Sequence, residues 1–129
     1  MSAIPAASRR PATWESVVRR VDKPWGYELI YGVTDDYCGK ILFVRAGEAL
    51  SLQYHEFKDE TIYLHEGDAE IELAPPGAPP RTLRIGPGRS FHVTPRTVHR
   101  LRAVEDSLFL EVSTPHLGDV VRLEDRYGR

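Results

Sequence analysis

Gln53, His55, Glu60 and His99 are the residues of this chain whose types and spacing suit metal chemistry. Gln53 and His55 are two apart, so on a strand both point to one face. Glu60 lies beyond a short turn, at the start of the next extended run. In a hairpin the end of one strand and the start of the next are neighbours, so these three donors converge without any long-range assumption. His99, in TPRTVHR, sits on a later strand and supplies the fourth donor. Two imidazoles, a carboxylate and an amide oxygen suit a divalent metal ion: zinc first, with manganese, iron or nickel as alternatives. The plain alternative is a site that has decayed into a polar interior. A neutral amide is a poor ligand, and Gln53 could instead orient a metal-bound water.

Such a set needs strands to hold it. Short β-rich runs occupy 27–31, 40–44, 49–55, 61–65, 69–73, 82–85, 90–93, 98–103 and 108–112. The run Ala69-Glu70-Ile71-Glu72-Leu73 alternates strictly, with Ile71 and Leu73 on one face and the glutamates on the other. The proline-rich APPGAPP at 74–80 lacks amide protons and fixes φ, so it is expected as a loop between strands. About nine short strands at regular spacing read as an all-β sandwich or barrel. No segment shows sustained helical periodicity, and there is no repeat of solenoid type.

At 129 residues the chain is expected to form one domain with one core. Residues 1–13, rich in Ala, Ser, Pro and Arg, read as a flexible N-terminal arm, and 14–129 as the folded domain. The 41% hydrophobic and 28% charged content is that of an ordinary globular protein, and the net charge of −2 argues against a general nucleic-acid binder. Cys38 is the only cysteine and cannot form an internal disulfide. No run is long enough to span a membrane, and MSAIPAASRRPAT has no continuous apolar segment of signal-peptide type. The expected location is the cytoplasm, with no membrane partner.

The stretch from Gly47 to Gly67 resembles the first cupin motif, G-x5-H-x-H-x4-E-x6-G. Gly47, His55, Glu60 and Gly67 fall at its positions, and Gln53 replaces its first histidine. Gly88 to His99 matches the second motif, G-x5-P-x-G-x2-H-x3-N, more loosely. There Pro95 is one place late, Arg96 stands for the inner glycine and Ala103 for the asparagine. KPWGYE at 23–28, LSLQYH at 50–55, the pair His99-Arg100, LEVSTP at 110–115 and VVRLEDRYGR at 120–129 resemble the cupin domain of type II phosphomannose isomerases. The resemblance covers about residues 14–129. It implies a single-domain jelly-roll β-barrel, a divalent metal and sugar phosphate chemistry. It also implies a two-fold homodimer, here expected with the segment before Trp25 crossing to the partner.

Lys58 and Glu111 are the candidates for proton transfer. Lys58 lies between His55 and Glu60, where it either meets an anionic substrate at the mouth of the site or is a solvated turn lysine. Glu111 sits between Leu110 and Val112 in a late strand, where a carboxylate is costly unless used. It is a general base, an anchor that orients a histidine ligand, or the partner of a surface arginine. If Leu110 and Val112 fill the barrel, Glu111 is outside. Arg100 follows His99 and points to the opposite face of a regular strand, which favours a structural role. Trp25 is expected to pack at a barrel end, and the tail EDRYGR to clamp the barrel or line its mouth. His65, His92 and His116 have no place in the motifs.

The expected activity is metal-dependent isomerisation of a sugar or sugar phosphate through an enediol. A divalent ion would stabilise the developing negative charge, and Glu111 or Lys58 would carry the proton. Arginines near the mouth suit a phosphate, though the sequence does not say which. An iron-dependent cupin oxygenase and a non-enzymatic small-molecule-binding cupin are the alternatives.

Overall fold

The computed structural model describes residues 15–129. The arm expected over 1–13 therefore lies outside the described residues. The elements are β1 (Arg19–Lys23), β2 (Gly26–Val33), β3 (Cys38–Val44), β4 (Leu52–Tyr54), β5 (Glu60–Glu66), β6 (Ala69–Ala74), β7 (Arg81–Ile85), β8 (Ser90–Val93), β9 (Val98–Ala103), β10 (Ser107–Ser113) and β11 (Val121–Glu124). They form two antiparallel sheets with strand orders β1-β2-β3-β10-β5-β8 and β11-β4-β9-β6-β7. This is the expected jelly-roll barrel. No helix among the described residues is long and apolar enough to cross a membrane.

The nine expected strands are all present, and two more join them. Arg19–Lys23 and Val121–Glu124 show little apolar alternation, and both become strands by pairing as sheet edges. Strand β1 pairs with β2 of its own chain, Arg19 opposite Ile30 and Lys23 opposite Gly26. Within the described part of the segment before Trp25, Arg19–Lys23 thus forms a sheet edge against its own chain. The expected run 49–55 is shorter as a strand: β4 holds only Leu52–Tyr54, and Ala49 makes an isolated bridge to Arg102.

Strand alternation divides the barrel interior along its length. Leu42 and Val44 of β3, Ile62 and Leu64 of β5, Leu101 and Ala103 of β9 and Phe109 of β10 point inward and are buried, with Trp25 and Ile71, as one apolar core. The same inward rows end in Lys40, Glu60, His99 and Glu111, each buried. Period-2 alternation therefore carries one polar residue from each of four strands to one end of the barrel.

Two close approaches depend on glycine. A Cβ on Gly26 would collide with the carbonyl oxygen of Phe43, so the PWG sequence lets β2 lie against β3. Gly67, at φ 115°, turns β5 into β6 directly over Ser107.

Candidate metal centre

His55 leaves β4 and Glu60 opens β5, and the loop between them is folded around one distant carboxylate. Asp119 accepts the backbone N–H of Glu56 at 3.1 Å, of Phe57 at 2.7 Å and of Lys58 at 2.9 Å. Its backbone carbonyl accepts a hydrogen bond from His55 Nδ1. The N–H of Asp59 donates to Thr114 Oγ1 at 3.1 Å. Asp119 and Thr114 had no place in the sequence reading. No local pattern marks a loop aspartate whose partners lie some sixty residues earlier.

His99 comes from β9, directly opposite Gln53 of β4. Its Nδ1 donates to the Thr97 carbonyl at 2.8 Å. A carbonyl can only accept, so in the neutral rings of both His55 and His99 Nδ1 carries the proton and Nε2 presents a lone pair. Both Nε2 atoms face Glu60 Oε2, at 2.8 Å from His55 and 3.5 Å from His99. His55 Nε2 and Glu60 Oε2 are buried with no hydrogen-bond partner. Two buried acceptors at that separation repel unless a cation lies between them. One ligand atom from each of His55, Glu60 and His99 lies within 4.8 Å of the others, a spacing that suits a divalent metal ion.

Burial by itself would raise the Glu60 carboxyl. When the His55 and His99 rings carry a proton on Nε2 they donate to it, and together with the Lys58 ammonium they outweigh burial and hold the group well below the ordinary carboxylate range. Glu60 is thus an ionised ligand. Gln53 lines the same cavity, with its Oε1 accepting from Ser51 Oγ at 2.6 Å. An amide oxygen has two lone pairs, so this bond leaves one free.

Lys58 is not a solvated turn residue: only 5% of its surface is exposed. The Asp119 bonds to the loop turn it inward, where its Nζ lies 2.9 Å from Glu111 Oε2 and 3.6 Å from Glu60 Oε1. Burial would lower the Lys58 pKa, but Glu111 and Glu60 raise it above the usual lysine value, so the ammonium stays charged. Glu111 faces the interior, because β10 turns Ser107, Phe109 and Glu111 inward and leaves Val112 exposed. Its partner is Lys58. Among the described residues it neither holds a histidine ligand nor meets a surface arginine. Burial pushes its carboxyl pKa up, Lys58 and Lys40 oppose this, and Glu60 adds to it.

Arg100 points away from the cavity as expected, pairing with Glu72 at 3.0 Å and Glu124 at 3.7 Å. His65 and His92 are exposed, and His92 meets Asp59 at 2.6 Å. His116 Nδ1 bonds Thr114 Oγ1. The tail clamps the barrel: Arg126 donates to the Gly47 carbonyl and Tyr127 OH accepts the Ala49 N–H.

No family model matches the chain. It is 32% identical, over 135 aligned positions, to the xanthan biosynthesis protein XanB of Xanthomonas campestris pv. campestris, in strain B100 and in strain ATCC 33913. The whole chain is matched but only 27% of XanB, so the chain spans about a quarter of the length of these relatives. Among solved structures it resembles KdgF from Halomonas sp., with TM-score 0.66 and 26% identity over 76% of this chain and 88% of that one. CapF from Staphylococcus aureus matches with TM-score 0.71 at 12% identity, over 84% of this chain and 35% of CapF. Oxalate decarboxylase from Bacillus subtilis matches with TM-score 0.71 at 17% identity, over 84% of this chain and 30% of that one. Two antiparallel sheets, a buried His-Glu-His cluster at one end of the barrel and these likenesses establish that the chain has the cupin fold and resembles the cupin domain of type II phosphomannose isomerases.

Proposed function

We propose that the protein is a metal-dependent isomerase that moves a proton between adjacent carbons of a sugar or sugar phosphate through an enediol. The observation that carries this reading is the buried pair Lys58–Glu111, 2.9 Å apart, set beside the His55/Glu60/His99 cluster. Those three residues and Gln53 would hold a divalent ion, zinc in the first instance, which would supply positive charge against the negative charge of the enediol. Glu111 then has a proton acceptor's chemistry: its pKa is raised by burial, which brings it nearer neutrality. It takes the proton from one carbon and returns it to the next. Lys58, charged and anchored to Glu60 and Glu111, orients that carboxylate and offsets its charge. Trp25, Leu42 and Ile62 wall the inner side of the cavity.

The same reading takes a second copy of the chain as partner. The outer face of the larger sheet carries Tyr27, Leu29, Tyr31, Ile41, Phe43, Tyr63, Leu108, Leu110 and Val112, and no charged side chain on β3 or β10. The smaller sheet's outer face is a charge lattice, with Arg102–Glu70 at 3.1 Å and Arg100–Glu72 at 3.0 Å. An apolar centre rimmed by Arg20, Asp22 and His65 supports a two-fold interface there.

Incubating the zinc- or manganese-loaded protein with sugars and sugar phosphates in D₂O, followed by NMR, tests the activity. Deuterium should enter the carbon next to the carbonyl. The Glu111→Gln variant should keep its metal and lose about two to four orders of magnitude in exchange rate. No exchange with any substrate, or iron content with O₂ consumption, would defeat the isomerase reading.

A further inference from the structure

Two crossings close one end of the barrel. The ligand loop 55–59 leaves β4 of the smaller sheet and enters β5 of the larger one. The strap 114–120 leaves β10 of the larger sheet and enters β11 of the smaller one. The strands that flank them pair, Glu60 opposite Ser113 and Tyr54 opposite Val121, so the crossings run side by side in opposite directions. They are joined at both ends. At the β10 end the Thr114 N–H donates to the Asp59 carbonyl at 3.0 Å, and the Asp59 N–H donates to Thr114 Oγ1. At the β11 end the bonds run to Asp119.

The strap supplies no ligand and no member of the Lys58–Glu111 pair, yet it holds both. The Asp119 carbonyl accepts from His55 Nδ1–H, which fixes the ring and aims Nε2 at Glu60. The Asp119 carboxylate accepts three consecutive amides, Oδ1 that of Glu56 and Oδ2 those of Phe57 and Lys58. Successive N–H groups converging on one anion fix the backbone of a turn. This turn is the one that sends Lys58 inward to Glu111. The strap also lines the cavity, with Leu117 and Val120. One residue therefore joins a metal ligand, a buried ammonium and the cavity wall. A carboxylate suits the task, because its two oxygens offer about four lone-pair sites for three donors. An amide offers one oxygen, and its NH₂ opposes the N–H groups it faces.

We propose that Asp119 is the positioning residue of this site: it locks the strap to the ligand loop, so that metal affinity, the burial of Lys58 and the closure of the cavity wall rise and fall together. Coupling of this kind is reciprocal, so what Asp119 contributes to holding the metal, the metal returns in holding the strap. The proposal rests on the reading of His55, Glu60 and His99 as metal ligands and is independent of the reaction.

Zinc titration against a competing chelator, and lysine acetylation mapped by mass spectrometry, test it on the full chain. Asp119→Ala removes the carboxylate, and Asp119→Asn, nearly isosteric, replaces one of its oxygens by a donor. Both keep the carbonyl that meets His55 but release the strap that carries it. Each should weaken zinc binding by about ten- to a hundredfold, the scale for groups that orient a ligand. In the metal-free chain, acetylation of Lys58 should be slow in the wild type and at least about tenfold faster in both variants. Lys40, buried in the same cavity but held by Glu28, is the internal control and should not change. In hydrogen exchange, zinc should raise the protection of the 56–58 and 117–120 amides in the wild type and raise it less in the variants. Unchanged zinc affinity in both variants overturns the proposal. So does equal acceleration of Lys58 and Lys40, which is general loosening of the barrel. If far-ultraviolet circular dichroism shows that Asp119→Ala does not fold, Asp119→Asn carries the test. A wild-type chain that binds no zinc would remove the metal reading and the coupling with it. Variants that match a zinc-binding wild type would remove only the role of Asp119.

Discussion

At the scale of single residues, two features of the site have direct consequences. His55 and His99 each have Nδ1 committed to a backbone carbonyl, so each offers only Nε2 to a metal. His55→Ala and His99→Ala should each abolish stoichiometric metal binding, and full occupancy in both variants by elemental analysis would remove the site. The second feature is Arg96, at φ 65° the one non-glycine among the described residues with positive φ. It sits in the turn Thr94-Pro95-Arg96-Thr97, closed by Thr97 N–H to the Thr94 carbonyl at 3.1 Å. Pro95 at the second position and a positive φ at the third fit a type II turn, which favours glycine at the third. This is where the cupin motif places its inner glycine. The Arg96 N–H also donates to the His55 carbonyl at 2.7 Å, so the turn holds a ligand's backbone as well as positioning His99. Arg96→Gly should relieve about 1 kcal/mol of left-handed strain. A higher midpoint of thermal unfolding with unchanged metal content is expected, and a lower midpoint would show that Arg96 contributes more through its contacts than it costs.

At the scale of elements, the tail is the piece most exposed to pH. Asp125 accepts from the Tyr127 and Arg129 backbone N–H groups and from Arg129 Nε at 2.8 Å. Burial would raise its pKa, but the Arg129 side chain and those two amides lower it below the ordinary aspartate value. A carboxyl depressed by folding contributes stability that is present above its unfolded pKa and is lost as pH falls through the folded one. The protection of the Tyr127 and Arg129 amides against hydrogen exchange, relative to their intrinsic rates at each pH, should therefore be high at neutral pH and fall in the acid range. Asp125→Ala should show the low protection already at pH 7. Protection that is indifferent to both changes would mean that the tail is held by Arg126 and Tyr127 alone. The runs that alternate apolar and polar residues were legible as strands from their residues. The edge strands β1 and β11 were not, because their hydrogen bonds come from neighbours distant in sequence or from a turn, and their side chains are mostly exposed.

At the scale of the molecule, the two outer sheet faces differ in kind. The charge lattice over β9 and β6 suits water, whereas the aromatic and aliphatic face over β2, β3 and β10 is far more apolar than an antiparallel sheet facing solvent needs. Light scattering at micromolar concentration should give the mass of a dimer. Leu110→Lys, in the middle of that face, should give a monomer with its metal intact, since Leu110 points away from the cavity. A monomeric wild-type protein, or a dimer indifferent to Leu110→Lys, would rule out this interface.

The spacing of His55, Glu60 and His99 was enough to name three side chains that the fold brings within ligand distance of one another, and the barrel that holds them, because strand period and motif spacing are local properties that survive without the fold. Three things were decided only in the tertiary structure. The inward direction of Glu111 depended on which parity of β10 meets the core, and Phe109 at 0% exposure settled that. The burial of Lys58 depended on Asp119, a loop residue at the start of the neighbouring strand β11 that captures three backbone amides of the turn after β4. Which arginine faces the cavity depended on strand register. Arg122 faces the row of Gln53 and His99, Arg100 faces outward to Glu72, and the two are indistinguishable as residue types. In each case the deciding quantity was which face of a strand meets which neighbour, and long-range pairing sets that.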